Sequence, residues 1–341
     1  MTRLREFIER INTEHGYSGP IRYDEPMAAH TTFHVGGPAD VWLQPDAVCF
    51  PAYTAALRAA AKSAGVPVFV LGCGANLVVS DAGIRGIVLD TGRWNGVRVE
   101  PAPRAEADTA ATGAQRLIAA SRAEADAAAA GAQCLIACAG AEADAAASMA
   151  AELGVGTLAF LAGMPGSIGG AVWMNARCYN RSVSDTLLEV EIIDEAFRRV
   201  RVPFAPEAYG YKQSPFQQRP VLILSAAFRV EQRPVAQIRR EMDAHRHDRE
   251  SKGHYRFASA GSVFKNDRAF GKPTGQIIDE LGLRGLRIGG AHVAPWHGNI
   301  IINTGQASAA DIRALVDELV AQVHAKLGIR LEPEVLFIGA W

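Results

Sequence analysis

The sequence predicts an α+β protein, with short apolar strands and amphipathic helices in two or three segments. Two observations carry that expectation. Strand-like runs lead into glycine turns near residue 70 and recur beyond residue 184, and helical apolar stripes appear near both ends of the sequence. A chain of 341 residues with 49% hydrophobic content is also long enough for more than one core. Its net charge of −1 excludes a broad electrostatic attraction to nucleic acid or anionic membrane.

The first residues, MTRLREFIERI, set Leu4, Ile8 and Ile11 at helical spacing among charged side chains. They predict an amphipathic helix rather than a secretory core, and with it a cytoplasmic location. Val66 to Leu71 (VPVFVL) predicts a short buried strand running into Gly72-Cys73-Gly74-Ala75-Asn76. A strand feeding such a turn is a phosphate-cradle geometry, although Leu77 breaks the GxGxxG pattern and the chain holds no GxxxxGK[ST] loop.

The middle of the chain repeats. AEADTAA (105–111) returns as AEADAAA at 123–129 and 141–147, and GAQRLIA (113–119) returns as GAQCLIA (131–137), a period of 18 residues. Five helical turns span that period, so a duplicated alanine-rich helical insertion is expected. A partner-docking surface is the other reading.

Residues 154–176 carry no charge, yet Gly163, Pro165, Gly166, Ser167, Gly169 and Gly170 interrupt the apolar run. A membrane helix would leave the freed backbone groups unpaired in lipid. A glycine-dense apolar segment instead offers bare amides to a closely approaching group, with nucleotide phosphates as the first candidate and a ligand-free tight turn as the other reading. Together with Gly36-Gly37, the two loops point to one extended ligand with a pyrophosphate in its middle.

Beyond residue 184, LLEVEII (187–193) and VLILSAAF (221–228) predict strands, and residues 235–245 a helix. The mixed-charge run from His245 to Lys252 predicts a solvated helix end. Ser308, with Asp311 as capping partner, opens a helix whose stripe is Ile312, Leu315, Val316, Leu319, Val320, Val323 and Leu327. Residues 334–338 predict a closing strand. Cys49, Cys73, Cys134, Cys138 and Cys178 are odd in number and lack CxxC spacing, which predicts reduced thiols and no metal site. Residues 258–266 gather Ser259, Ser262, Lys265 and Asn266, a loop suited to an anionic, hydroxyl-rich ligand, although no GxSxG elbow frames Ser262.

In order along the chain, TTFHVGG (31–37), LGCGANLVVSD (71–81), FLAGMPGSIGGAVWMNA (160–176), YGYKQSPF (209–216), SAGSVFKN (259–266), GGAHV (289–293) and LEPEVLFIG (331–339) resemble the UDP-N-acetylenolpyruvoylglucosamine reductase family, the flavoenzymes called MurB. GSVFKN followed by EPEV is the specific part of the likeness. The resemblance implies a two-lobed FAD-binding domain of the vanillyl-alcohol-oxidase/PCMH type, followed by a smaller α+β substrate-binding domain. Residues 1–90, with the strand 331–341, would form one FAD-binding subdomain. Residues 91–232 would form the other, with the repeat inserted near 105–140, and 233–330 would bind substrate.

The same resemblance implies non-covalent FAD, NADPH as reductant, and reduction of UDP-N-acetylglucosamine enolpyruvate to UDP-N-acetylmuramate for peptidoglycan precursor synthesis. It makes Ser262 the general acid, with Glu334 and Lys212 stabilising the charge that develops beside the substrate carboxylate. Cofactor contacts fall on Thr32, Gly72, Cys73, Gly74, Ala75, Asn76, Leu77, Ser80, Ala139, Gly140, Pro165, Gly166, Ser167, Gly169, Gly170 and Asn175. Substrate contacts fall on Lys212, Lys265, Asn266 and Asn299. Lys212 stands where the family usually has Arg, and Lys makes no planar bidentate contact. The short interval from Lys212 to Ser262 resembles the subtype without a tyrosine-bearing covering loop, so Arg219, Arg229 or other residues are expected to compensate. Two other classes remain at this point: an oxygen-using FAD oxidase of the same fold, and a non-catalytic nucleotide-binding scaffold docking through the repeat.

Overall fold

The computed structural model describes residues 2–102 and 133–341. The N-terminal helix Thr2–Glu14 buries Ile8 and Ile11. They meet Phe50, Tyr53 and Leu57 of the helix Phe50–Ala64, and Val41, Leu43, Ile87 and Leu89 of the first sheet. That helix ends at Gly65, whose φ of 67° is a left-handed cap that disfavours a side chain.

The first sheet has the spatial order Ile21–Pro26, Pro38–Leu43, Ile84–Asp90, Val68–Leu71. Its first pair is antiparallel and its other two pairs are parallel. The crossover helix Phe50–Ala64 therefore delivers Val68–Leu71 to the sheet edge, so that the turn at 72–76 leaves from a strand's carboxyl end. The strand Leu77–Val79 then pairs in parallel with Leu336–Ile338.

The second sheet is antiparallel throughout, in the order Arg199–Pro203, Leu187–Ile193, Leu222–Arg229, Gln133–Cys138, Val97–Pro101. The helices Ala143–Glu152 and Ile168–Trp173 share its core. In the third unit the strands Arg287–Ile288, Ala291–Val293 and Ile301–Asn303 pack with the helices Thr274–Glu280 and Ala309–Leu327. Ile193, Leu222 and Leu224 of the second sheet enter the first core, while Phe33, Val35 and Val78 enter the third. The glycine loops lie where these cores meet. The architecture is α+β, as expected.

The helix from Ala309 opens on the expected capping box, with Ser308 accepting from Asp311 N–H, and buries Ile312, Leu315, Val316, Leu319 and Val323. Leu327, the last residue of the expected stripe, is instead exposed, because the helix ends there at Gly328.

The repeat requires a correction. AEADTAA (105–111), GAQRLIA (113–119) and AEADAAA (123–129) lie outside the described residues; AEADAAA at 141–147 leads into helix, but the described part of GAQCLIA (131–137) does not. Gln133–Cys138 is a strand with Cys134 to Cys138 buried between two neighbouring strands, and helix begins only at Ala143. A continuous apolar run fits a strand covered on both faces, whatever the alanine content around it. Gly140 makes the exit turn, where a Cβ would stand 1.7 Å from Thr91 O. The uncharged run is likewise broken into a 3-10 turn, Ala159–Leu161, and the short helix Ile168–Trp173. No described helix is long and apolar enough to cross a membrane.

Candidate active site

The two glycine loops touch. A Cβ on Gly72 would lie 2.3 Å from Ser167 Oγ, so only glycine admits this approach. Gly74, at φ 61°, passes His30 O so closely that its Cβ would lie 2.0 Å away. None of the backbone N–H groups of Gly72, Cys73, Gly74, Ala75 and Asn76 donates to an acceptor among the described residues. Successive unpartnered amides at a turn are a concave anion site. Asn76 closes the turn by donating from Nδ2 to Glu334 O at 2.9 Å, and its own carbonyl accepts from Leu336 N–H.

The second loop is held differently. Ser167 caps the helix Ile168–Trp173, accepting from Gly170 N–H at 3.2 Å, while Gly169 N–H donates to Ala139 O and Ile168 N–H to Ala141 O. Gly169 packs so tightly on Ala139 that a Cβ would come within 2.9 Å. Gly166, at φ 129°, turns its open side toward Ala75, the nearest atom being 3.7 Å from a Cβ position. This loop supplies close approach and shape, and its Gly166 and Ser167 N–H groups, like those of 72–76, donate to no acceptor among the described residues.

Two cavities adjoin across Gly72 and Cys73. One, of about 450 Å³, is walled by both loops and by Lys212, Ser262 and Glu334. The other, of about 690 Å³, lies against Thr32, Asp90, Gly140 and Glu142. Thr32 Oγ1 is buried there without a partner among the described residues. Burial raises the Asp90 carboxyl above its ordinary range, and burial with the Glu142 and Asp90 charges pushes the Cys73 thiol up to about 12. A neutral thiol in the anion turn adds no repulsion.

The polar chemistry of the smaller cavity comes from distant segments. Val263 N–H donates to Asn299 O, Val263 O accepts from Glu334 N–H at 2.7 Å, and Lys265 N–H donates to Glu332 O. These bonds lay residues 262–265 alongside 332–335, so that Ser262 and Glu334 share a wall. Lys212 Nζ reaches Glu334 Oε1 at 2.6 Å, with the side chains 15% and 12% exposed. In so dry a position a carboxylate needs its cation. A cation, a carboxylate and a hydroxyl on one wall can hold an anionic substrate group and deliver a proton nearby.

The charge run at 245–252 holds what sequence reasoning missed. The helix Val235–Ser251 extends through it and turns Arg249 into the cavity, next to His254. Arg249 Nε is buried without a partner among the described residues. Burial, reinforced by Arg249, His297 and Lys252, holds His254 down to about 4. Arg249 also packs against Gly163, where a Cβ would meet its Cδ at 3.1 Å. In sequence the only signal was an arginine among seven polar or charged neighbours. Arg219 and Arg229, the two cations named as candidates, are bound to Glu195 and to Asp185 O respectively, whereas Arg249 lines the cavity.

Several expected contacts are engaged elsewhere. The Asn175 amide donates to Gly210 O and accepts from Ser184 N–H. Ser80 Oγ bonds Ala340 O. Lys265 pairs with Glu332, and Asn266 Oδ1 accepts from Thr274 N–H. Asn299 clamps Phe264, accepting from its N–H at 2.9 Å and donating to its carbonyl at 2.8 Å. Each of these five side chains bonds a backbone group or an ion partner.

Comparison with known proteins follows this geometry. The family described as UDP-N-acetylenolpyruvoylglucosamine reductase, C-terminal domain, matches residues 253–338. The UDP-N-acetylenolpyruvoylglucosamine reductase of Treponema denticola is 35% identical over 342 aligned positions, covering 97% of each chain. That of Cereibacter sphaeroides is 38% identical, covering 94% of this chain and 96% of its own. The crystal structure of the Thermus caldophilus enzyme superposes with a TM-score of 0.67 at 28% identity, covering 94% of this chain and 99% of that one.

Proposed function

This chain belongs to the UDP-N-acetylenolpyruvoylglucosamine reductase family, and from that premise we propose that it is a cytoplasmic FAD enzyme converting UDP-N-acetylglucosamine enolpyruvate to UDP-N-acetylmuramate, with NADPH as reductant. One observation carries the reading at residue level: Ser262 and the Lys212–Glu334 pair wall the same cavity as the anion turn 72–76. Residues 1–90 with 331–341, and 91–232, hold the flavin in this reading, and 233–330 bring Ser262 to the substrate.

The residues fit an FAD. The free amides of 72–76 suit its pyrophosphate, Gly166 leaves room beside them, and Thr32 Oγ1 is an orphan hydroxyl in the adjoining cavity. A bound flavin supplies hydride transfer from NADPH to the enol ether. The protein's part is to manage the charge and the proton. As a hydride reaches the terminal methylene carbon, negative charge grows on the carbon bearing the carboxylate and the ether oxygen. Lys212 stabilises that charge through the carboxylate, held in place by Glu334. Ser262 Oγ then gives its proton to that carbon and recovers one from solvent, a role typically worth about 10²–10⁴ in rate. Arg249 supplies a guanidinium for an anionic group of the sugar nucleotide.

Anaerobic half-reactions test this. NADPH should bleach the yellow protein, and the enolpyruvyl sugar nucleotide should restore the colour without oxygen. Reoxidation by oxygen alone, with the sugar nucleotide inert, would replace the reductase reading with an oxidase.

A further inference from the structure

Lys212 occupies a backbone conformation that it does not favour. It sits at φ 57°, left-handed, in the tight turn 210–213, which is closed by reciprocal bonds between Gly210 and Gln213 at 3.2 Å. Glycine or asparagine is the usual residue at such a place, and a lysine there is strained. Such strain persists only where surrounding contacts over-determine the turn.

The contacts that do so come from the end of the uncharged glycine segment. Asn175 is 3% exposed. Its Nδ2 donates to Gly210 O at 2.8 Å, and its Oδ1 accepts from Ser184 N–H at 3.0 Å. A carbonyl can only accept and an amide N–H only donate, so this orientation of the side chain is the one that satisfies both. Ser214 Oγ donates to Trp173 O at 2.7 Å, and Gln217 Nε2 to Lys212 O at 3.0 Å. Asn175 itself stands at φ 45°, which asparagine tolerates.

From these contacts we infer that Asn175 is a positioning residue for the reaction: it fixes the turn that presents Lys212 to Glu334, with Gln217 holding the same turn from its other side. The segment that approaches the cofactor at its glycines thus also sets, two residues past its short helix, the place of the cation that stabilises the substrate's developing charge. Asn175 acts through Lys212 and touches neither cofactor nor substrate. The inference rests on the reductase reading above.

The test uses the flavin-loaded protein and follows the two half-reactions separately in single turnovers. Asn175→Asp keeps the left-handed backbone and the acceptor for Ser184, but sets a carboxylate oxygen against Gly210 O. It should slow reoxidation by the enolpyruvyl sugar nucleotide about 10- to 100-fold, while flavin content and reduction by NADPH stay within about twofold of the parent. In a Lys212→Ala background the same substitution should add no further loss, since the residue it positions is gone. Gln217→Met, which removes the donor to Lys212 O, should act in the same direction with a smaller loss, and it carries the test if Asn175→Asp does not fold. Unchanged reoxidation in the folded variant, losses that multiply with Lys212→Ala, or equal slowing of both half-reactions would each overturn the inference. If the parent protein itself is not reoxidised by the sugar nucleotide, the reductase reading falls instead.

Discussion

Lys212 Nζ lies 2.6 Å from Glu334 Oε1, joining a central turn to the segment that precedes the last strand. Both side chains are mostly buried, and each neutralises the other until an anionic substrate arrives. Lys212→Ala should therefore lower substrate-driven reoxidation by about 10²- to 10³-fold, leaving reduction by NADPH unchanged. Stopped-flow absorbance of the flavin separates the two. A loss shared equally between them would argue against a role at the substrate carboxylate.

The left-handed backbone at Lys212 has a separate signature. Lys212→Gly and Lys212→Ala both remove the ion pair, so a comparison of the two isolates the backbone. The glycine variant should be more stable by about 1 kcal/mol in denaturant unfolding, because glycine carries no Cβ penalty at positive φ. An alanine variant as stable as the glycine variant would show the turn to be unstrained.

Arg249 lines the cavity, and its buried Nε has no hydrogen-bond partner among the described residues. Arg249→Gln should raise the KM for the sugar nucleotide by about 10-fold or more, the scale of one charge-assisted hydrogen bond, without loss of flavin. Titration with UDP-N-acetylglucosamine, which has the diphosphate but no enolpyruvyl carboxylate, tells which anionic group it holds. Unaltered affinity for both ligands would leave Arg249 a structural residue packed on Gly163.

The thiol of Cys73, pushed up to about 12, is protonated at neutral pH. Alkylation by iodoacetamide at pH 8 should be slow at Cys73 in the folded protein and fast once urea is added, as read by peptide mass spectrometry. Rapid native labelling at pH 8 would contradict that environment.

His254, held down to about 4 against an ordinary value of 6.5, binds a proton more readily in the unfolded chain. Between those values the unfolded state holds the extra proton, so stability rises with pH and is lost as pH falls through the window. His297 is shifted in the same direction. Urea midpoints at pH 7.5 and 5 should differ less for His254→Gln than for the parent. Equal differences would place the acid sensitivity elsewhere.

The sequence revealed the elements whose signals are local. The strand at 68–71 with its glycine turn, the capped helix at 309–327 and the alternating strands beyond residue 184 all appear where periodicity and turn chemistry predict them. Ser262 and Glu334, which their motifs singled out, line the same cavity in the structure. The motifs read Asn175, Asn299 and Lys265 as ligand contacts, and in the structure the two amides bond backbone groups and Lys265 pairs with Glu332, neighbours that local sequence does not reveal. Only tertiary pairing distinguishes these, as the Asn299 clamp on Phe264 shows. Arg249 was hidden for the converse reason: a helix directs one side chain of a charged run inward, and an irregular apolar stripe does not reveal which. The second GAQ copy, at 131–137, misled because the alanine content around it favours helix, whereas burial on both faces of a sheet decided for strand.

The parallel pairing of Leu77–Val79 with Leu336–Ile338 has a consequence for assembly. A ladder between segments so far apart in sequence closes only after nearly all of the chain has been synthesised, and such non-local pairing is slow to form. Asn76, one residue upstream, is anchored by Glu334 O in the same step. The turn therefore acquires its final shape only once this distant pairing is in place.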